Sequence, residues 1–282
     1  MKNYFEGLYF KQQTEECAIA FIPALHTDKD GRTASLQIVA ENKAFSVSYP
    51  IASAELKRQE ASFAIGNNHF SLDGIHLDVH DEGIDLIGDL KFSALTRPKY
   101  DIMGPFRFVP FMECRHSVLS VRHDVSGAIV FNGGRINFEE GTGYIEGDRG
   151  RSFPKRYIWS QCLHEDISLM LSAADIPLLG GSFTGIIGII YFRGQEYRIS
   201  TYLGARPVFI GRGIAIVRQG DYTFTAQLKA GASELLKAPV RGSMTRRIRE
   251  SISSCVRYRF SKGNEELFDF TSDCASFEDE YQ

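Results

Sequence analysis

At 282 residues, with 43% apolar and 24% charged content, the chain has room for one large or two medium domains with their own cores. A formal net charge of −3 gives no long-range pull toward nucleic acid or anionic lipid, and the basic run at 241–249 is short. Five cysteines at irregular spacing, with no CxxC, argue against a disulfide framework or a structural zinc site and for a reducing compartment.

The opening MKNYFEGLYFKQQTEE has no uninterrupted apolar core of the signal-peptide kind. No stretch approaches ~18 consecutive apolar residues. The expectation is a soluble, cytoplasmic protein. Along the chain the strand signal dominates. SLQIVAEN, AFSVSYPI, HFSLDG, IHLDVHDEG and IDLIGDLKFSAL read as antiparallel strands. Turn pairs divide them: Asp30-Gly31, Asn42-Lys43, Asp73-Gly74 and Glu82-Gly83. SAELKRQEA near Ser53 predicts a turn or two of helix. PFRFVPFMECRH is rich in Phe and Pro, and SVLSVRHDVSGAIVFNGGRINF returns to strand patterning. GIIGIIYFRG, QEYRISTYLG, GIAIVRQG and DYTFTAQLKAG repeat the strand pattern in the second half. SELLKAPV is broken by Pro239. Met244 to Ser254 fits either a short amphipathic helix or a twisted edge strand. The closing SFEDEYQ reads as a frayed acidic tail.

A tetrapeptide recurs. YFEG starts at Tyr4 and YIEG at Tyr144, a shift of 140 (144 − 4). GIHLDV starts at Gly74 and GIAIVR at Gly213, a shift of 139 (213 − 74). Near-equal shifts predict two similar domains, drawn at 1–120 and 121–282. A long antiparallel meander commonly closes into a barrel to remove its edges. The fold expectation is therefore all-β, with two tandem barrels and few short helices.

Three blocks carry a resemblance to the tocopherol cyclase family. Tyr4-Phe5-Glu6-Gly7-Leu8-Tyr9-Phe10-Lys11 is similar to the family's opening F-E-G-W-Y-F-K. A second block runs from Gly104-Pro105-Phe106 through Val109-Pro110-Phe111-Met112-Glu113-Cys114 and His116 to Ser126-Gly127. The third joins Gly143-Tyr144-Ile145-Glu146, Gly150-Arg151-Ser152-Phe153-Pro154 and Tyr157-Ile158-Trp159-Ser160-Gln161-Cys162. It resembles the family's Y-x-E-K-x-W-G-x-S-F-P-x-x-W-x-W-x-Q-C. Departures are Leu8 for the opening Trp, Gly147 and Arg149 for the Lys and Trp, and Leu163 for an Asn. The resemblance implies two lipocalin-like (calycin) barrels and an intramolecular lyase or isomerase. The family's reaction closes a chroman ring on a prenylated hydroquinone by adding a proton to the prenyl double bond. It needs no cofactor and no metal.

That chemistry asks for a carboxylic acid in an apolar pocket, aromatic faces for a cation and an acceptor for the phenol. Glu6 and Glu146 are the repeated carboxylates, with a structural role at each barrel entrance as the plain alternative. The copies diverge after Glu146, where Asp148, Arg149 and Arg151 are expected in a loop flanked by Gly147 and Gly150. Glu146, Asp148 and Arg151 are therefore the candidate catalytic residues, although Asp148 and Arg151 could equally form a salt bridge. Glu6, Tyr144, Tyr157, Trp159, Gln161, Glu113 and His116 are the candidate substrate-binding residues. Tyr157, Trp159 and Gln161 share one strand face by their spacing, as ligand wall or packed core. A lone His116 fits a general base or a satisfied structural histidine. His76, Asp78 and His80 are better explained as a wet strand face than as metal ligands. The expected partner is a small apolar isoprenoid or quinol, with peripheral membrane contact for its uptake and no nucleic acid. A non-catalytic carrier of a lipid, quinone or isoprenoid is the alternative function.

Overall fold

A computed structural model describes residues 3–40, 43–110, 112–178, 181–230, 234–240 and 243–281, with side chains except at 178 and 234–251. The turn position Asn42, Gly180 and the basic side chains of 241–249 lie outside the described residues.

The chain begins with β1 (Tyr4–Gln13), β2 (Ala18–Thr27), β3 (Arg32–Ala40) and β4 (Lys43–Tyr49). Short strands follow: β5 (Ala54–Lys57), β6 (Ser62–Ile65) and β7 (Asn68–Phe70). Next come β8 (Gly74–Asp81), β9 (Ile84–Thr96), β10 (Cys114–Phe131), β11 (Gly134–Asn137) and β12 (Gly141–Gly150). The second half starts with β13 (Tyr157–His164), β14 (Ile167–Leu178), β15 (Gly181–Phe192) and β16 (Gln195–Arg198). It continues with β17 (Arg206–Gly211), β18 (Ile214–Gln219) and β19 (Tyr222–Ala230). It ends with β20 (Glu234–Val240), β21 (Ser243–Lys262) and β22 (Glu265–Asp279). Helical structure among the described residues is confined to three 3-10 turns, Ile51–Ser53, Gly104–Phe108 and Thr201–Leu203. No described helix is long and apolar enough to cross a membrane.

These strands make two antiparallel sheets that curl into barrels. The first runs β4-β3-β2-β1-β12-β10-β9-β8-β7-β6-β5 and the second β16-β15-β14-β13-β22-β21-β19-β18-β17. Hydrogen bonds hold the far strands together. Asn68 Nδ2 of β7 donates to Tyr49 Oη of β4 at 3.1 Å. Gln219 of β18 bridges the chain after β16, accepting from Ser200 N at 2.9 Å and donating to Arg198 O at 2.8 Å.

Position by position the two orders match, so the chain is a structural duplication. The counterpart of β1 is β13, and that of β12 is β22. The GIHLDV and GIAIVR landmarks agree with this: Gly74 opens β8, Gly213 precedes β18, and the two strands hold equivalent places. The tetrapeptide does not. YFEG lies in β1 and YIEG in β12, antiparallel neighbours in one sheet, with Glu6 opposite Arg149 and Tyr9 opposite Glu146. Neighbours running in opposite directions cannot mark the entries of two barrels. The drawn boundary at 120 falls inside β10, and the chain changes sheet between Gly150 and Tyr157.

Two further expectations are corrected, and one left open between helix and strand is decided. SAELKRQEA is not helical: it forms a 3-10 turn and β5, because Ala54–Lys57 pairs with Ser62–Ile65. Met244 to Ser254 is strand, within β21. SFEDEYQ is not frayed. Ser276 and Phe277 are buried, and Glu278 pairs with Trp159 at the end of β22.

Burial explains which strands alternate. IHLDVH of β8 shows one face to water, and His76 and His80 there pair with Asp89, Asp85 and Asp78. In β1 and β13 nearly every residue is buried. Leu8 and Phe10 enter the first barrel core, whereas Tyr9 packs outside it with Trp159, Tyr144 and Met170. Each barrel interior is filled by its own apolar cluster. A third cluster joins the barrels. Polar contacts reinforce the junction: Lys11 Nζ, fully buried, donates to Cys274 O at 2.7 Å and Ser276 Oγ at 3.0 Å.

Candidate functional site

The site follows from this doubly covered seam. Its floor is the outer face of barrel one. Asp148 of β12 lies beside Gly7 of β1, which lies beside Ala24 of β2. Gly7 and Ala24 offer almost no side chain, so a hollow remains between Phe5 and Tyr9. A Cβ at Gly7 would lie 3.1 Å from Ala24 Cβ. Trp159, Tyr157, Ala174 and Ile186 of barrel two face it, and Met103, Phe106 and Phe153 from the connecting segments complete the wall. The cavity volume is about 180 Å³. Because the barrel interiors are packed, the cavity lies between the barrels.

Polar groups enter this apolar wall at defined places. Glu146 and Asp148 alternate onto the same face of β12, and His116 of β10 sits between them. His116 Nδ1 lies 3.0 Å from Asp148 Oδ1 and Nε2 lies 3.2 Å from Glu146 Oε2. The second contact brings charges together without being aligned as a hydrogen bond. Burial opposes a charge on His116, but Asp148 and Glu146 outweigh it and hold its pKa well above the ordinary value. The two carboxylates thus favour the charged imidazole. Tyr144 Oη donates to Glu146 Oε2 at 2.6 Å, and burial and that carboxylate keep the phenol protonated. Cys114 Sγ donates to Asp148 at 3.3 Å, its pKa raised by burial and then by Asp148.

A third carboxylate reaches the cavity, this one from barrel two. Glu278 accepts from Tyr157 Oη at 2.5 Å. Opposite Glu146 in register stands Tyr9, and opposite Glu278 stands Trp159. The rings of Tyr9 and Trp159 meet edge to face at 5.6 Å. The two barrels therefore present equivalent strand pairs, each with an aromatic and a glutamate, to one shared space.

Of the catalytic candidates, Glu146 and Asp148 line the cavity and Arg151 does not. Arg151 is exposed, and its backbone N–H donates to Glu113 O at 2.7 Å. Asp148 is not in a loop, since β12 continues to Gly150, and its partner is His116. Tyr157, Trp159 and His116 line the cavity. Tyr144 stands behind Glu146. Gln161, buried two residues beyond Trp159, and the half-buried Glu113 both lie outside the cavity wall. Glu6 is held elsewhere: Arg58 Nε donates to its Oε1 at 2.6 Å and Tyr4 Oη to its Oε2 at 2.7 Å.

Sequence reasoning missed Glu278 and His26, both on the wall. Aligning Phe277-Glu278 with Ile145-Glu146 would have found the first. No pattern marks the second.

His116, Glu146 and Asp148 also place one potential metal-ligand atom each within 4.8 Å of one another. However, the carboxylates contact opposite ring nitrogens. An ion between Nε2 and Glu146 would leave Asp148 as a backing acceptor on Nδ1 and gain only two protein ligands. The arrangement suits a shared proton better.

Two cavity or core histidines titrate the other way. Burial lowers His26 to about 4 and His123 to about 3, from 6.5. The folded state then binds fewer protons than the unfolded state below 6.5. Their contribution to stability is full above that pH and is lost as pH falls through it toward about 4 and 3. Each should cost about 1.4 kcal/mol per pH unit in that window. His123→Leu should flatten the acid limb of stability against pH by about that slope, measured by denaturant unfolding from pH 7 to pH 4. His116 has the opposite sign: its contribution is full below 6.5 and is lost as pH rises through its raised value.

No protein-family model matches the sequence, and no curated protein matches it. Solved structures do match in fold. A protein assigned as AttH from Nitrosomonas europaea shares 10% identity at TM-score 0.58, covering 100% of this chain and 93% of its own. CghA with Sch210972 shares 9% identity at TM-score 0.59, covering 98% and 88%. Kievitone hydratase from Nectria haematococca shares 9% identity at TM-score 0.54, covering 99% and 89%. At these identities the likeness establishes the two-barrel fold, which is the fold the tocopherol cyclase resemblance implied. The cyclase name itself has no family match behind it.

Proposed function

We propose that the chain binds an apolar isoprenoid-type molecule, such as a prenylated hydroquinone, between its barrels and closes a ring on it by proton transfer. The observation that carries this reading is His116 held between Glu146 and Asp148, at 3.2 and 3.0 Å, on the wall of a largely apolar cavity. The proton passes from His116 Nε2 to Glu146, and the Glu146 carboxyl adds it to one alkene carbon. The tertiary cation left on the other carbon faces Asp148 and the rings of Tyr9, Tyr157 and Trp159. The phenol oxygen forms the new C–O bond and gives its proton to a wall carboxylate, with Glu278 beside Tyr157 as the one supplied by barrel two. One C–H and one C–O bond form, while the double bond and one O–H are lost, so the product is an isomer.

The test is incubation of the purified protein with a prenylated hydroquinone in deuterated water. The expected product has the substrate's connectivity closed into a ring and one carbon-bound deuterium. A product heavier by one water would mean hydration, as the name of kievitone hydratase describes for that neighbour. Tight binding without turnover would mean a carrier.

A further inference from the structure

Beyond the His116 cluster, two side chains on the cavity wall carry a buried nitrogen without a hydrogen-bond partner. These are His26 Nδ1 and Trp159 Nε1. His26 is 4% exposed and Trp159 is 6% exposed. Buried polar groups in folded proteins are nearly always paired, so two orphans around one cavity ask for a partner inside it. Their chemistry limits what that partner is. An indole N–H only donates, so Trp159 needs an acceptor oxygen. His26 uses Nε2 on Ser35 Oγ at 3.1 Å, which leaves Nδ1 for the ligand. Glu146, Asp148 and Glu278 on the same wall would repel an anion. Register sets the spacing. His26 lies two strands from Asp148 and one same-face step along β2 from Ala24, about 12 Å between Cα atoms.

We infer that the ligand is an uncharged, oxygenated apolar molecule, with one acceptor oxygen on Trp159 Nε1–H and a second hydroxyl or carbonyl on His26 Nδ1. This rests on the reading of the cavity as a substrate site and adds the placement of its oxygens. Trp159 and His26 are binding residues here, separate from proton transfer at Glu146.

The experiment compares a prenylated hydroquinone with the prenylated benzene that lacks both hydroxyls, using calorimetry on the full chain. Wild type should bind the hydroquinone about tenfold tighter or more. Trp159→Phe and His26→Leu should each weaken hydroquinone binding about tenfold and leave the hydrocarbon unchanged. His26→Gln, which keeps a neutral polar group, should restore part of the loss and serves if His26→Leu misfolds. If these variants keep the wild-type preference while both compounds bind, the inference is overturned and the cavity reading stands. If neither compound binds wild type, the cavity reading falls and the inference with it.

Discussion

Glu146→Gln is expected to lower turnover of a prenylated hydroquinone by about a hundredfold or more while substrate affinity changes little. The amide is nearly the same size and still accepts from Tyr144 Oη, so the wall keeps its shape. What it lacks is a proton that can move. His116 Nε2 then faces an amide oxygen in place of a carboxylate, and delivery to the alkene stops. Asp148→Asn should act differently. It keeps an acceptor for His116 Nδ1 but removes one of the two carboxylates that raise the imidazole pKa, so activity should survive at lower pH and fall earlier as pH rises. Rate against pH for both variants, alongside binding by calorimetry, checks this. Full turnover by both would place the acid elsewhere.

Gly127→Ala is expected to cost about 4 kcal/mol or more, enough to leave little folded protein at 37 °C. Gly127 sits in β10 opposite Leu90 of β9 at φ +114. An added Cβ would lie 2.2 Å from the carbonyl oxygen of Asp89 and 3.3 Å from Leu90 Cα. Both obstacles are backbone in the neighbouring strand, so no rotamer change relieves them. The two strands would have to separate, and one of them, β10, also carries His116. Gly133→Ala is the matched control. It also has positive φ, +82, but nothing lies within 4 Å of its Cβ position. Only the left-handed backbone penalty of about 1–2 kcal/mol remains. Chemical denaturation of the two variants should separate them clearly, and equal midpoints would discount the steric argument.

Much of the fold was legible in the residues because strand patterning is local. Alternation in IHLDVH and the turn glycines predicted strands where strands occur, and the matching GIHLDV and GIAIVR named equivalent strands of two barrels. Glu146, Asp148, His116, Tyr157 and Trp159 were also within reach, since period-two spacing places Tyr157 with Trp159 and Glu146 with Asp148 on common faces. What misled was the recurrence of YFEG. Identity at three of four positions does not say which strands are equivalent, and only strand pairing reveals that β1 and β12 run antiparallel in one sheet.

The sequence by itself determined the element type, the doubling and the residue types at hand. It could not determine which faces of which strands meet, because a one-residue change of register turns every side chain to the other face. Tertiary structure decided that the outer faces of β1, β2 and β12 pack against those of β13, β14 and β22. That packing buries Glu278, read from sequence as part of a loose tail, beside Tyr157. It leaves Arg151 in water and ties Glu6 to Arg58. Above all it sets His116 between two carboxylates that are 30 and 32 residues away in the chain (146 − 116 and 148 − 116), a proximity that no local pattern encodes.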